Sequence, residues 1–360
     1  MGCTAPSISG WTGTRGESSK MRFGLIGFSQ GFYATTYTRH AARLKGIEVV
    51  ACCDLGQTDE YVLECAGITA REFAEELGCE LLSDLDAFFS RKLDAVMVAS
   101  EVWQHAEHTI NALSHGCHVF VGKPLSFRPD EVQAVIDKAR EADRLVLPGN
   151  PLRYESSMQQ IADQIRGGAI GKPTNIRVFV HHEAMVHQEW ERDPAKSGGP
   201  LGTFGIYLID TVRWLTGQEL GHLYAVGGQF VFPEVQSWDT VQAVGATTEG
   251  ALVQLNLVST MTWEYPFVMV DAIGTKGVIH NNPYRQAYVL QNPQDQLGPI
   301  QYDPMGQKEI EHFIACCQGT SRPAITLDDM LAAAEGIQTM TRSLRSGTPQ
   351  KLGDKGENHA

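Results

Sequence analysis

The stretch Met21-Arg22-Phe23-Gly24-Leu25-Ile26-Gly27-Phe28-Ser29-Gln30-Gly31 decides the fold. Arg22 to Gly27 is short and mostly apolar, which reads as a strand, and Phe32 to Leu44 carries the spacing of a helix. Between them lies a glycine turn. Two chemistries use such a strand–turn–helix. In a dinucleotide-binding fold the turn brings backbone N–H groups and a helix N-terminus against a pyrophosphate. In a hydrolase elbow, Gly-x-Ser-x-Gly holds a nucleophilic serine, here Ser29. The elbow would lie deep in the chain and need an acid and a histidine after later strands. The dinucleotide reading needs an acidic residue ending the second strand, and Asp54 closes Ile47 to Cys53. No Arg or Lys follows closely to receive a 2′-phosphate, so the pattern favours NAD over NADP.

The same alternation continues outward. Thr69-Ala70-Arg71-Glu72 is a capping box opening a helix through Glu76. Asp94 to Ala99 reads as a strand, Gln104 to Ser114 as a helix and His118 to Val121 as a strand. Pro129 to Ala142 follows as a helix and Leu145 to Leu147 as a strand. Apolar strands alternating with helices imply a parallel sheet covered on both faces, so residues 21–150 form a doubly wound α/β Rossmann domain. After Pro151 the rhythm changes. Helices are expected over Tyr154 to Arg166 and Tyr207 to Leu215, with strands at Thr174 to Val180, Tyr224 to Gly228, Ser237 to Thr247, Ala251 to Thr260, Phe267 to Ala272 and Gly277 to His280. Strands without helices between them predict a mostly antiparallel sheet in an α+β domain over residues 151–345, closed by helices Lys308 to Cys317 and Leu327 to Ser343. Residues 1–20 read as a flexible extension, with Met21 a plausible alternative start, and 346–360 as a tail.

Of the 360 residues, 42% are hydrophobic and 20% charged, a soluble globular composition. The net charge of −13, from 29 Lys and Arg against 42 Asp and Glu, argues against nucleic acid and anionic membranes as partners. No apolar run approaches a membrane span and no signal-peptide core precedes Met21, so a cytoplasmic location is expected. The eight cysteines form no Cys-x-x-Cys pair and read as buried thiols. His105 with His108, His115 with His118, and His181, His182 and His187 make no clean ligand set, so no metal is expected.

Two residues carry candidate chemistry. Lys123 follows the strand His118 to Val121, at the end of a sheet where doubly wound proteins bind ligands. Tyr207 lies four residues after Thr203, so both share one helix face if the helix starts early enough. A tyrosine near a lysine cation is a serviceable proton acceptor.

Taken together, these segments resemble the Gfo/Idh/MocA family, named for glucose–fructose oxidoreductase and inositol dehydrogenase. Arg22 to Gly27 looks like its opening strand, and Val50-Ala51-Cys52-Cys53-Asp54 like its second. Ala99 to His105 is similar to the stretch lining the nicotinamide side, and Gly122-Lys123-Pro124 matches the Glu-Lys-Pro signature in two of three positions. Trp190 to Asp193, Ser197 to Gly199 and Gly205 to Asp210 look like the substrate-domain motif, and Glu309 to Phe313 like a late helix. The chain departs from the family in three places: Gly122 replaces glutamate, Thr203 aspartate and Tyr207 histidine.

The resemblance implies NAD held by Gly27, Phe28, Ser29, Gln30, Asp54, Ser100, Glu101, His105, Gly122 and Lys123, with the nicotinamide facing the second domain's sheet. It further implies hydride exchange with a sugar, cyclitol or related polyol, Lys123 and Tyr207 handling the proton. Arg153, His182, Trp190, Thr203 and Tyr207 are the expected substrate contacts, and a homodimer or homotetramer the expected assembly. The alternative is a nucleotide-binding regulator that kept the fold and lost the chemistry.

Overall fold

The computed structural model describes residues 20–354 apart from 184–187, 233–235, 261–266, 283–286, 292–295 and 300–305, so His187, most of the N-terminal extension and the end of the tail lie outside the described residues. The chain divides into two compact units. The first runs to Ser126 and adds Asp130–Pro151 and Pro304–Asp328; the second takes Phe127–Pro129, Leu152–Asp303 and the chain from Asp329.

In the first unit, β1 (Met21–Ile26), β2 (Ile47–Cys53), β3 (Glu80–Leu82), β4 (Ala95–Val98), β5 (His118–Val121) and β6 (Val146–Pro148) form one sheet in the order β3-β2-β1-β4-β5-β6. Every pairing is parallel. Each residue of β4 and β5 is buried, as strands covered on both faces require. The capping box stands: Thr69 Oγ1 accepts from Glu72 N at the head of the helix Ala70–Leu77, and the Glu72 side chain returns to Thr69 N. The helix expected from Phe32 opens as a π turn, Tyr33–Tyr37, and becomes α over Thr38–Arg43.

Among the short elements that escape a sequence reading are β3 and the helices Asp59–Ala66 and Leu85–Phe89. At three residues, β3 has no periodicity to display. Both helices did carry a start signal, since Thr58 accepts from Tyr61 N and Asp84 accepts from Ala87 N. The helix Gln307–Cys317, expected with the second domain, packs in the first unit instead. Its buried Glu309 accepts hydrogen bonds from Tyr37 Oη and from Asn150 N, the latter at 2.8 Å, and Phe313 meets Phe120 edge to face. Residues remote in sequence supply those partners, so only the folded chain shows them.

In the second unit, β7 (Pro173–Glu183), β8 (Leu220–Gly228), β9 (Thr240–Thr247), β10 (Leu252–Thr260), β11 (Val268–Gly274), β12 (Val278–Asn282), β13 (Ala287–Gln291), β14 (Gln296–Pro299) and β15 (Gln350–Lys351) form a sheet ordered β14-β13-β12-β11-β7-β10-β9-β8-β15. Among the described pairings only β7 with β10 is parallel. Along β8, Leu223 and Ala225 are buried while Tyr224 and Val226 face out, the alternation of a sheet covered on one side. The helix expected from Tyr207 starts at Gly199 and runs to Thr216. Glycines 199, 202 and 205 lower its intrinsic propensity, and packing overrides them: a Cβ on Gly205 would lie 2.8 Å from Ile337 Cγ1.

Burial sets how this fold responds to pH. His105, His108 and His118 are held down at about 4 by desolvation, and His118 must be neutral at Nδ1 because that atom accepts from Leu145 N at 3.0 Å. The unfolded chain binds their protons near pH 6.5, so their contribution is intact above that value and is lost as pH falls toward 4. Glu309 works in the opposite sense. Burial pushes it up to about 7, so its contribution is full below the unfolded carboxyl value and falls as pH rises toward 7. Thermal unfolding should therefore show a melting temperature that drops from pH 6.5 to 4, less steeply in His118→Asn, whose amide oxygen can still accept from Leu145 N. Glu309→Gln should gain on wild type at pH 8 relative to pH 4.5; an equal effect at both values would refute the buried-carboxyl assignment.

Candidate active site

The order of the first sheet reverses between β1 and β4, so the chain leaves their C-terminal ends in opposite directions and opens a crevice there. Gly27 sits at that point with φ +79°, and a Cβ on it would lie 2.6 Å from Ser100 Cα. Only glycine brings the turn after β1 so close to the chain after β4. Gly27 N donates to Cys53 O at 2.8 Å and Gln30 N to Ala99 O at 2.9 Å, tying the turn to both neighbouring strands. The Phe28 side chain is buried edge-on against Phe73, which leaves only its backbone for a ligand.

A small network rims the turn. Gln57 Nε2 donates to Ser29 Oγ at 3.0 Å. Tyr61 Oη donates to Glu101 Oε1 at 2.8 Å and lies 3.1 Å from Ser29 Oγ. Trp103 Nε1 donates to the other oxygen of Glu101. Burial drives the Tyr61 phenol upward, so it remains a proton donor. Gln57 and Tyr61 were not legible as site residues, and Trp103 only as part of the stretch Ala99 to His105; the cap at Thr58 was the one signal that could have placed Tyr61 beside the turn.

Asp54 follows β2. Its Oδ1 accepts from Gly56 N at 2.9 Å, through a turn in which Leu55 and Gly56 both have positive φ. Residues 55–70 hold no Lys or Arg, whereas Asp59 and Glu60 open the next helix. The crevice fits a dinucleotide by its own features: a glycine cradle that a Cβ would fill and a carboxylate at the end of β2.

His105 needs a correction. It was expected against the cofactor, but it is wholly buried, with Nδ1 2.8 Å from Pro124 O and Nε2 3.0 Å from Ser100 O. Its influence on a ligand passes through those two backbones. Ser100 is also fully buried, its Oγ 2.8 Å from His108 Nδ1. Gly122 is buried and the half-buried Lys123 is followed by a cis peptide to Pro124, just beyond β5.

In the second unit, Thr203 and Tyr207 fall on the same helix, Gly199–Thr216, one turn apart. Tyr207 meets Phe267 edge to face at 5.1 Å; His182 meets the same ring at 5.5 Å and stacks on Phe204 at 4.0 Å. The structure thus gathers two expected site residues, His182 and Tyr207, around one aromatic ring. Trp190 is buried, its indole N–H without a partner among the described residues. Arg153, expected as a substrate contact, is buried in an ion-pair network: its Nε donates to Asp210 Oδ2 at 2.9 Å and its Nη2 lies 3.2 Å from Asp329 Oδ2. Asp329 also pairs with Arg213 at 2.9 Å. Burial pushes Asp210 upward against the pull of Arg153. The guanidinium therefore fixes the helix carrying Tyr207, three residues before Asp210. Among the described residues no three His, Cys, Asp or Glu side chains gather as metal ligands, and no helix is long and apolar enough to cross a membrane.

Known proteins resemble this chain in sequence and fold. A family model described as an oxidoreductase family with an NAD-binding Rossmann fold matches residues 21–150, and one described as the GFO/IDH/MocA C-terminal domain matches residues 158–280. The myo-inositol 2-dehydrogenase of Thermotoga maritima is 26% identical over 86% of this chain and 92% of its own. The D-glucoside 3-dehydrogenase of Escherichia coli is 27% identical over 56% of this chain and 55% of its own. In structure, an oxidoreductase from Agrobacterium radiobacter, crystallised with NAD+, L-tartaric acid and magnesium, superposes with a TM-score of 0.79 at 19% identity, covering 93% of this chain and 99% of that one.

The Gly27 contact makes a direct prediction. Gly27→Ala combines a positive φ with a backbone clash, so it should weaken NAD binding at least tenfold in calorimetry and cost about 1–3 kcal/mol of stability in denaturant unfolding. Unchanged affinity would show that the turn does not hold the cofactor.

Proposed function

The chain belongs to the GFO/IDH/MocA family of NAD-binding oxidoreductases, and on that premise we propose that it moves a hydride between NAD and a secondary alcohol or ketone of a sugar, cyclitol or related polyol. The observation that carries the reading is Lys123 at the end of β5, in the unit that contains the glycine turn and Asp54. Bound NAD supplies the hydride acceptor. The backbone of Gly27 to Gln30 would cradle its pyrophosphate, and Asp54 its ribose hydroxyls. With acids and no cation in the following segment, a 2′-phosphate would meet repulsion, so NAD is preferred over NADP.

Lys123 would hydrogen-bond the reacting oxygen and stabilise negative charge that grows on it as hydride leaves. Tyr207 would take the hydroxyl proton. A histidine base gains from a carboxylate that orients it, whereas a phenol does not depend on one, so Thr203 for aspartate and Tyr207 for histidine form one coherent exchange. Phe267, His182 and Trp190 would contact the ring of the substrate, Thr203 would offer a hydroxyl one turn away, and Arg153 would hold the helix in place. The curated inositol and glucoside dehydrogenases named above support a hydroxylated ring as the substrate class.

The open face of the second sheet supports self-association. Tyr224 pairs with Val244 across β8 and β9, and these two with Val226 are 36–50% exposed. Such a patch fits an interface with a second copy. Light scattering should give a dimer or tetramer, and Val226→Glu should shift it toward monomer; a monomeric wild type would end this part of the proposal.

NADH formation at 340 nm across cyclitols, aldoses, sugar acids and amino sugars, with NAD and NADP in parallel, tests the chemistry. Lys123→Ala and Tyr207→Phe should each lower kcat by about 10²–10⁴ while NAD binding measured by calorimetry stays within a few-fold. Near wild-type turnover in either variant would remove that residue's role, and NAD binding with no turnover on the whole panel would favour the regulator.

A further inference from the structure

We infer that Gln30 is the positioning residue for Lys123, and that Gly122 is glycine because the Gln30 amide occupies the space of a side chain at 122. The inference rests on the proposed role of Lys123. Its structural half stands on three observations within the first unit.

Gln30 Nε2 donates to Lys123 O at 2.7 Å, joining the turn after β1 to the loop after β5 across 93 residues of sequence. A Cβ on Gly122 would lie 1.9 Å from Gln30 Oε1, the far end of a flexible side chain, so a side chain at 122 would displace the amide from where it now sits. Finally, Gln30 Oε1 is buried with no hydrogen-bond partner among the described residues. The bond to Lys123 O and the room left by Gly122 are therefore what locate the amide. The next carbonyl along, Pro124 O, faces His105 Nδ1 at 2.8 Å, so two side chains hold consecutive peptides of the loop.

The chemistry explains why that matters. A lysine side chain is a point charge on a flexible four-carbon stem, and its reach is defined only when its own backbone is fixed. A residue at 122 precedes Lys123 directly and would set that backbone from within the loop. Here the constraint arrives from outside it, from the turn that cradles the cofactor. The Glu-to-Gly departure at 122 and the glutamine at 30 are then two halves of one exchange.

A double-mutant cycle on the full chain tests this, with Gln30→Ala, Gly122→Ala and the pair. Gln30→Ala should lower kcat about tenfold with the KM for NAD and for the polyol within twofold, since the tether aims Lys123 and binds neither substrate. Gly122→Ala should cost as much in the native background and less than twofold when residue 30 is alanine. Multiplicative effects at the two positions would overturn the inference. So would a Gln30→Ala variant whose NAD affinity falls while kcat holds, because the glutamine would then contact cofactor directly. If wild type turns over no polyol on the panel, the proposed function fails, and the structural half is read separately from thermal unfolding. There Gly122→Ala should lower the melting temperature by several degrees in the native background and by less than one degree in the Gln30→Ala background; equal losses would overturn it.

Discussion

The approach of Gly27 to Ser100 is the constraint on which the first unit depends. It brings the chain leaving β1 within van der Waals range of the chain leaving β4, at the place where the strand order reverses. Everything that could handle a dinucleotide is hung from that contact. The turn fixes Ser29 and Gln30, the backbone of Ser100 receives one nitrogen of His105, and the other nitrogen of His105 faces the loop that carries Lys123. A side chain at position 27 would push the two strand ends apart and loosen each of these in turn.

His105 shows how a buried polar residue can act at a distance of one peptide. Both of its ring nitrogens face carbonyl oxygens, which are acceptors only, so a neutral imidazole satisfies one of them and desolvation opposes the charged form that would satisfy both. The residue is thus held by shape and burial as much as by hydrogen bonding. It belongs to the scaffold of the crevice, as does His108, whose Nδ1 lies 2.8 Å from Ser100 Oγ; His118, at the opposite end of β5, is likewise buried and held neutral.

The second unit solves a different problem, which is to keep a glycine-rich helix rigid beneath an open sheet. Glycines let the helix Gly199–Thr216 lie close to its neighbours, and the ion-pair chain Asp210–Arg153–Asp329–Arg213 pins its C-terminal half. A buried ion pair of this kind adds little net stability, yet losing one partner leaves an uncompensated charge, so the arrangement is specific more than strong. Its consequence is a fixed position for Tyr207 against Phe267.

Much of the molecule was legible in the sequence. Strands β2 and β5 and the helix Pro129–Ala142 begin and end where composition and proline place them, and the capping box at Thr69 was readable from two residues. The glycine turn and Asp54 indicated a dinucleotide-binding fold, because local backbone chemistry and strand–helix alternation are written in short stretches of chain, while the oxidoreductase activity came from the family resemblance of the later motifs. What remained hidden involved partners far apart in sequence. Nothing local marks Glu309 as belonging to Tyr37 and Asn150, Arg153 as engaged by Asp210 and Asp329, or Gln30 as the neighbour of Gly122. Those assignments need the chain to close on itself, since burial and exclusion of one side chain by another exist only in three dimensions.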